Sequence, residues 1–212
     1  SYTISVSVTN GTATPSAVSV TKSYGDDYSV SFAANEGYAL DTVTVDDAAA
    51  VLTDNGYTFS NITDNHSIAV VYAEDSNGDG VPDKYQATVT YAIENGTWSD
   101  NTDTNKTEVF TLKTKGADGV WTDANPTLGT TIPTGMTAKP AYTQATGTWN
   151  TEISAETAVT ENVTYTYSYG TTVNSYTISV SVTNGTATPA ETSVTKNYGD
   201  NYSVSFAANE GY

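Results

Sequence analysis

Cysteine and arginine are both absent from this chain, histidine and methionine occur once each, and no apolar run approaches the roughly 18 residues of a membrane-crossing helix. Without cysteine there are no disulfides and no thiolate metal sites. Seven lysines stand against 24 Asp and Glu, so the net charge is -17. Such a surface repels phosphate backbones and anionic lipid, which argues against nucleic-acid partners and membrane insertion. The chain reads as soluble.

What is abundant is Thr, Ser, Val, Tyr and Asn, the β-branched and aromatic residues among them suiting a pleated, half-buried surface. In "YTISVSVT" the apolar positions Tyr2, Ile4, Val6 and Val8 alternate with hydroxyls, the period-2 signature of a strand. Asn10-Gly11 follows as a tight-turn signal. Strands are expected at 18–22, 28–33, 40–45, 57–59 and 67–72, and then at 85–92, 107–113, 119–121, 130–133, 146–149 and 163–169. No helical periodicity is present, although 154–158 could form a single turn. The expected fold class is all-β.

Residues 1–38 return as 175–212 with only five differences, at 16/190, 17/191, 18/192, 23/197 and 27/201. An offset of 174 is far longer than the roughly 20 to 50 residues of a solenoid repeat, so each period must hold whole domains. We read a β module A at 1–73, an acidic linker at 74–84, a β module B at 85–169, a short joint at 170–174 and the N-terminal half of a second module A at 175–212. The picture is of small β-sandwich or β-grasp-like domains arranged as beads in an elongated array. Residues 175–212 lack counterparts of 39–73, so a neighbouring repeat or a like chain is expected to complete them.

The stretches "YTISVSVTNGTATPS", "YGDDYSVSFAANEGYALDTVTVDD" and "YTFSNITDNHSIAVVYAE" make module A resemble the divergent internalin-type B repeats of bacterial surface proteins. Module B, with "VTYAIENGTW", "KTEVFTLKTKG", "IPTGM" and "GTWNTEISAETAVTENVTYTYSY", is similar to related Listeria–Bacteroides-type repeats, with "GTW" where their pattern has a longer aromatic stretch. The resemblance implies an extracellular, cell-surface spacer or adhesin stalk, and it carries over no catalytic residue.

One motif carries chemistry. In "AEDSNGDGVPDKYQ", Asp75, Asn77 and Asp79 occupy positions 1, 3 and 5 of a calcium loop, Gly80 position 6, the Val81 carbonyl position 7 and Asp83 position 9. Hard oxygen ligands at alternate positions suit Ca²⁺. Position 12, a bidentate Glu in an EF-hand, is Gln86, and Pro82 without helical flanks argues against helix–loop–helix. The loop resembles thrombospondin type-3 repeats instead. A solvated acidic linker is the alternative reading.

Other constellations point away from catalysis. His66 is the single histidine, expected in a turn, and no G-x-S-x-G elbow is present. The 24 acids make many carboxylate pairs, but domains of this size leave little room for a substrate cleft, so no enzyme is expected. Trp98, Trp121, Trp149 and the Tyr165/Tyr167/Tyr169 stripe could stack on a glycan, which makes a carbohydrate- or host-binding adhesin module the second functional reading. Lys–Asn isopeptide crosslinks are a further option, and Asn10, Asn61, Asn65, Asn95, Asn105, Asn162, Asn184 and Asn201 begin N-x-S/T sequons. The leading expectation is a calcium-stiffened structural repeat.

Overall fold

The computed structural model describes residues 1–142, 146–170 and 172–212. Every regular element among them is a strand, apart from two three-residue 3-10 turns at Asp83–Tyr85 and Gly129–Thr131. The all-β expectation holds. Module A contains β1 (Tyr2–Thr9), β2 (Gly11–Thr14), β3 (Ser19–Lys22), β4 (Tyr28–Ala34), β5 (Tyr38–Val45), β6 (Ala48–Ala49), β7 (Gly56–Phe59) and β8 (His66–Glu74). They make one sheet in the order β3-β1-β8-β5-β6 and a second in the order β2-β4-β7.

Alternation decides which side chains go inside. Ile4, Val6, Ile68, Val70 and Tyr72 from the first sheet and Tyr28, Val30, Phe32 and Phe59 from the second form one buried cluster. Burying each such side chain contributes roughly 1.5 to 3 kcal/mol. The first strand pairs with the last in parallel, Ile4 opposite His66 through Thr9 opposite Val71, so both ends of the module lock into its centre. At Asn10 the chain leaves the first sheet for the second with φ 58, and a Cβ on Gly11 would meet the Ala33 carbonyl at 2.5 Å and the Tyr72 ring at 2.7 Å. Only glycine fits there.

Module B contains β9 (Gln86–Glu94), β10 (Gly96–Thr97), β11 (Lys106–Thr111), β12 (Lys113–Lys115), β13 (Trp121–Asp123), β14 (Thr137–Ala138), β15 (Thr148–Trp149) and β16 (Val163–Ser168). Its sheets run β11-β9-β16-β15, β10-β14 and β12-β13. The second copy of the opening sequence contributes β17 (Ser175–Ser179), β18 (Gly185–Thr188), β19 (Ser193–Asn197) and β20 (Ser205–Ala208), paired β17-β19 and β18-β20.

Modules A and B use the same devices at corresponding places. Asn65 Oδ1 accepts from the Thr3 backbone N–H at 2.8 Å, and Asn162 Oδ1 accepts from that of Thr88 at 2.7 Å. Asn10 Nδ2 donates to the Tyr72 carbonyl at 3.0 Å, and Asn95 Nδ2 to that of Tyr169 at 3.1 Å. The glycine after each turn asparagine faces that same tyrosine ring, and just before the closing strands Ile62 and Val159 are buried at 1% and 3% exposure. The two modules therefore share these local devices in dissimilar sequence.

Contacts group the described chain into two units: Ser1–Val89 with Thr107–Gly129 and Ala155–Val163, and Thr90–Lys106 with Thr130–Ser154 and Thr164–Tyr212. The acidic loop lies inside the first. That unit buries Ala87, Val89, Leu128 and Val159 besides the module A core, and the second buries Tyr91, Trp98, Tyr165 and Tyr169.

Several sequence expectations need correction. Thr130–Pro133 is not a strand; the chain turns at Gly129–Thr131, where Gly129 takes φ 56. The strand expected at 107–113 stops at Thr111 and restarts at Lys113, because the Leu112 N–H turns to the Tyr85 carbonyl. The one expected at 119–121 begins instead at Trp121, after a turn in which Gly119 N–H donates to the Gly116 carbonyl. His66 is the first residue of β8, not part of the preceding turn. Residues 154–158 do hold a turn, at 155–156, and Ala158 forms an isolated bridge with Thr127. Residues 143–145 of module B and Thr171 of the short joint lie outside the described residues.

Candidate functional site

The acidic loop starts where β8 ends. Asp75 N–H donates to the Gly37 carbonyl at 2.8 Å, which fixes the loop to the body, and the Asp75 side chain turns inward to 7% exposure. Its Oδ1 accepts from the N–H groups of Gly78 (2.8 Å) and Asp79 (3.2 Å), and its Oδ2 from that of Gly80 (2.9 Å). Gly78 and Gly80 sit at φ 72 and 87, a backbone that suits glycine. Asp79 Oδ1 accepts from the Val81 N–H at 2.9 Å, and its Oδ2 from Gln86 Nε2 at 2.6 Å and Asn77 Nδ2 at 3.2 Å. The Val81 N–H foremost, then Gln86, holds the Asp79 carboxyl below the usual carboxylate range.

Asp75, Asn77, Asp79 and Gln86 are thus brought into one network, while both Asp83 oxygens accept from the Ser76 N–H at 3.1 and 3.2 Å. Among the described residues no three acidic or histidine side chains converge as a metal-holding group. These N–H donors satisfy the Asp75 and Asp79 oxygens within the loop itself. In kind, carboxylate and amide oxygens still match what Ca²⁺ takes.

Beside the loop lies an arrangement that sequence reasoning missed. In the β5-β8 ladder Leu40 faces Tyr72 and Thr42 faces Val71, so Asp41 is the extra residue of a β-bulge. Its side chain is 6% exposed and receives Lys84 Nζ on Oδ2 at 2.6 Å and the Tyr85 hydroxyl on Oδ1 at 2.9 Å. The Asp41 carbonyl accepts Trp121 Nε1 at 2.7 Å, and the Leu40 carbonyl accepts Lys115 Nζ at 3.3 Å. The Tyr85 and Trp121 rings pack at a tilt of 36° with centroids 4.5 Å apart.

The electrostatics follow from this packing. The hydrogen bond that Lys84 donates to Asp41 raises its amine above the ordinary value. Burial pushes the Lys115 amine down, and the Asp41 charge offsets this only in part. Burial, then the Asp41 bond, raises the Tyr85 phenol. One carboxylate of module A therefore clamps the turn that leads into module B and the β12-β13 hairpin. The one local signal was weak: "YALDTVTV" carries a charge within a strand, and nothing nearby in the sequence names its partners.

The remaining sequence candidates are structural in their surroundings. Trp98 is 1% exposed, with its indole N–H on the Thr104 carbonyl at 2.8 Å, and Tyr165 and Tyr169 are 9% and 2% exposed. Trp149 packs edge-on against Tyr91 and Tyr167, and Trp121 lies tilted against Tyr85. His66 Nδ1 bonds Asp46 Oδ2 at 2.7 Å and its ring stacks on Phe59. Lys84, Lys106, Lys113 and Lys139 pair with aspartates, Lys115 meets a carbonyl, and Lys22 and Lys196 lie over tyrosine rings. Of the sequon asparagines, Asn10, Asn65, Asn95 and Asn162 spend their side chains on the pairing bonds described above.

Comparison with protein-family models, curated proteins and solved structures finds no match to this chain.

Proposed function

We propose that this chain is a structural repeat of an extracellular surface protein or fibre, acting as a spacer. The observation that carries the reading is the near-verbatim return of residues 1–38 at 175–212, around a module B that reuses the devices of module A. A spacer gains from uniform repetition, whereas an enzyme seldom gains from an identical neighbour placed in line. The burial of Trp98, Tyr165 and Tyr169 supports the same reading, since a stacked sugar needs an open ring face. A glycan array and titration of tryptophan fluorescence with polysaccharide should both stay silent; saturable binding would transfer the protein to the adhesin class.

Calcium belongs to this proposal as a stiffener of the loop, held by Asp75, Asn77, Asp79, the Val81 carbonyl, Asp83 and Gln86. With an amide where an EF-hand has its bidentate acid, the affinity belongs with extracellular modules, on the order of 10⁻⁴ to 10⁻³ M. Millimolar calcium should slow proteolysis near Lys84 and leave melting of the modules nearly unchanged. No calcium effect at the loop would remove the metal while leaving the Asp41 clamp, which needs no cation, as the stiffening device.

A further inference from the structure

The lysines of this chain are unequally employed. Lys84, Lys106, Lys113 and Lys139 each pair with an aspartate, whereas Lys115, half-buried on β12, forms no ion pair among the described residues. Its Nζ donates to the Leu40 carbonyl at 3.3 Å and lies 5.3 Å from the centre of the Trp121 ring. Burial pushes the amine down, and the charge of Asp41 offsets this only in part. An ammonium that has given up water without gaining a counter-ion favours an anion beside it.

Lys115 lines a cavity of about 480 Å³, within the roughly 300 to 1,000 Å³ of small-molecule sites. Leu40, Val81 and Trp121 give it apolar walls, Lys113 and Gly80 also line it, and no carboxylate is among its lining residues. All of them belong to the first unit. The walls are held in place: Trp121 by its indole N–H on the Asp41 carbonyl at 2.7 Å and by the Tyr85 ring, Leu40 by its place opposite Tyr72 in the β5-β8 ladder.

Nearby charges cancel in pairs. Lys113 is spent on Asp123 at 2.7 Å and Asp41 on Lys84 at 2.6 Å, which leaves the Lys115 ammonium uncompensated at the cavity wall. Asp79 adjoins Gly80 in the chain, but its carboxyl is turned to the Val81 N–H, Asn77 and Gln86. A polyanion would face the loop carboxylates with a single free cation to hold it, and a neutral ligand would leave that cation unpaired. We propose that this cavity binds a small amphipathic monocarboxylate, its carboxylate on Lys115 Nζ and its apolar body against Leu40, Val81 and Trp121. The assignment rests on the cavity and its charge, independently of the spacer reading, and it calls for an anion rather than the hydroxyls of a glycan.

The test titrates the full 212-residue chain with 3-phenylpropanoate and follows backbone and indole N–H signals by NMR. Saturable shifts centred on Gly80, Val81, Lys115 and the Trp121 indole are expected, with a Kd on the order of 1 mM for a ligand of this size. The uncharged isostere 3-phenylpropanamide and the bodiless anion acetate should each bind about tenfold more weakly or less. Lys115→Gln, which keeps a donor for the Leu40 carbonyl, should weaken 3-phenylpropanoate about tenfold, and Lys113→Gln by less than about twofold. Absence of saturation by about 20 mM, shifts centred elsewhere, equal binding of the amide or of acetate, or undiminished affinity in Lys115→Gln would each overturn the assignment. The ligand comparison on the parent chain decides the matter even where a variant fails to fold.

Discussion

Replacing Lys84 by Met keeps the aliphatic stem and removes the charge that faces Asp41, leaving a carboxylate of 6% side-chain exposure with the Tyr85 hydroxyl as its remaining side-chain donor. A hydrogen bond to a charged group contributes about 1.5 to 3 kcal/mol, and stranding the buried partner carries its desolvation cost. Lys84 is itself half exposed, so solvent screening pulls the figure toward the lower end, to about 2 kcal/mol. Urea unfolding of the full chain at neutral pH reads this as a lower midpoint at unchanged slope. Adding Asp41→Asn closes a double-mutant cycle, in which a coupling of about 1 kcal/mol or more is expected. The Lys84 amine titrates higher in the folded than in the unfolded chain, so its contribution is complete below the unfolded value and fades as pH rises through the folded one. The gap between parent and Lys84→Met should accordingly close in strong alkali. A cycle with no coupling would refute the clamp, because it would mean that the two charges are as well solvated apart as together.

Three further outcomes follow from the packing. Ile4→Ala should cost about 2 to 4 kcal/mol and Ile178→Ala under about 1, the same change in the same local sequence differing through burial at 0% and 37%; chemical denaturation of the two variants compares them. Gly11→Ala and Gly96→Ala should each destabilise by about 2 kcal/mol or more, since the new methyl meets carbonyl and tyrosine-ring atoms at 2.5 to 2.9 Å; thermal melts would show it. Burial pushes the Asp46 carboxyl up, but hydrogen bonds from His66 and the Ser67 N–H outweigh it and hold it below its ordinary value. That stabilisation is present above about pH 4 and is lost as pH falls through the lower folded value, so Asp46→Asn should flatten the acid limb of the stability profile.

What was legible in the sequence was what local pattern controls. Alternation placed Ile4, Val6, Tyr28, Val30 and Phe32 inside, and Asn10-Gly11 marked a turn, though not that the chain changes sheets there. The unforeseen features depend on distant partners. Asp41 looks like an ordinary strand residue until Lys84, Tyr85 and Trp121 arrive from 43 to 80 positions away. The kinship of the modules was hidden for a similar reason, because it resides in Asn65 and Asn162 bonding strand N–H groups rather than in matching core residues: Ile68 of one closing strand corresponds to Tyr165 of the other. In the acidic loop the ligand spacing was readable, but the N–H groups that satisfy Asp75 and Asp79 belong to the loop's fold.

The spacer reading is tested most directly by small-angle scattering of the 212-residue chain in dilute solution. A compact globule of this length has a radius of gyration of about 17 Å. Modules threaded in line predict a value clearly above that, with a scattering curve of rod-like character. A radius at the globular value, with both copies of the opening sequence in one shared interior, would contradict it.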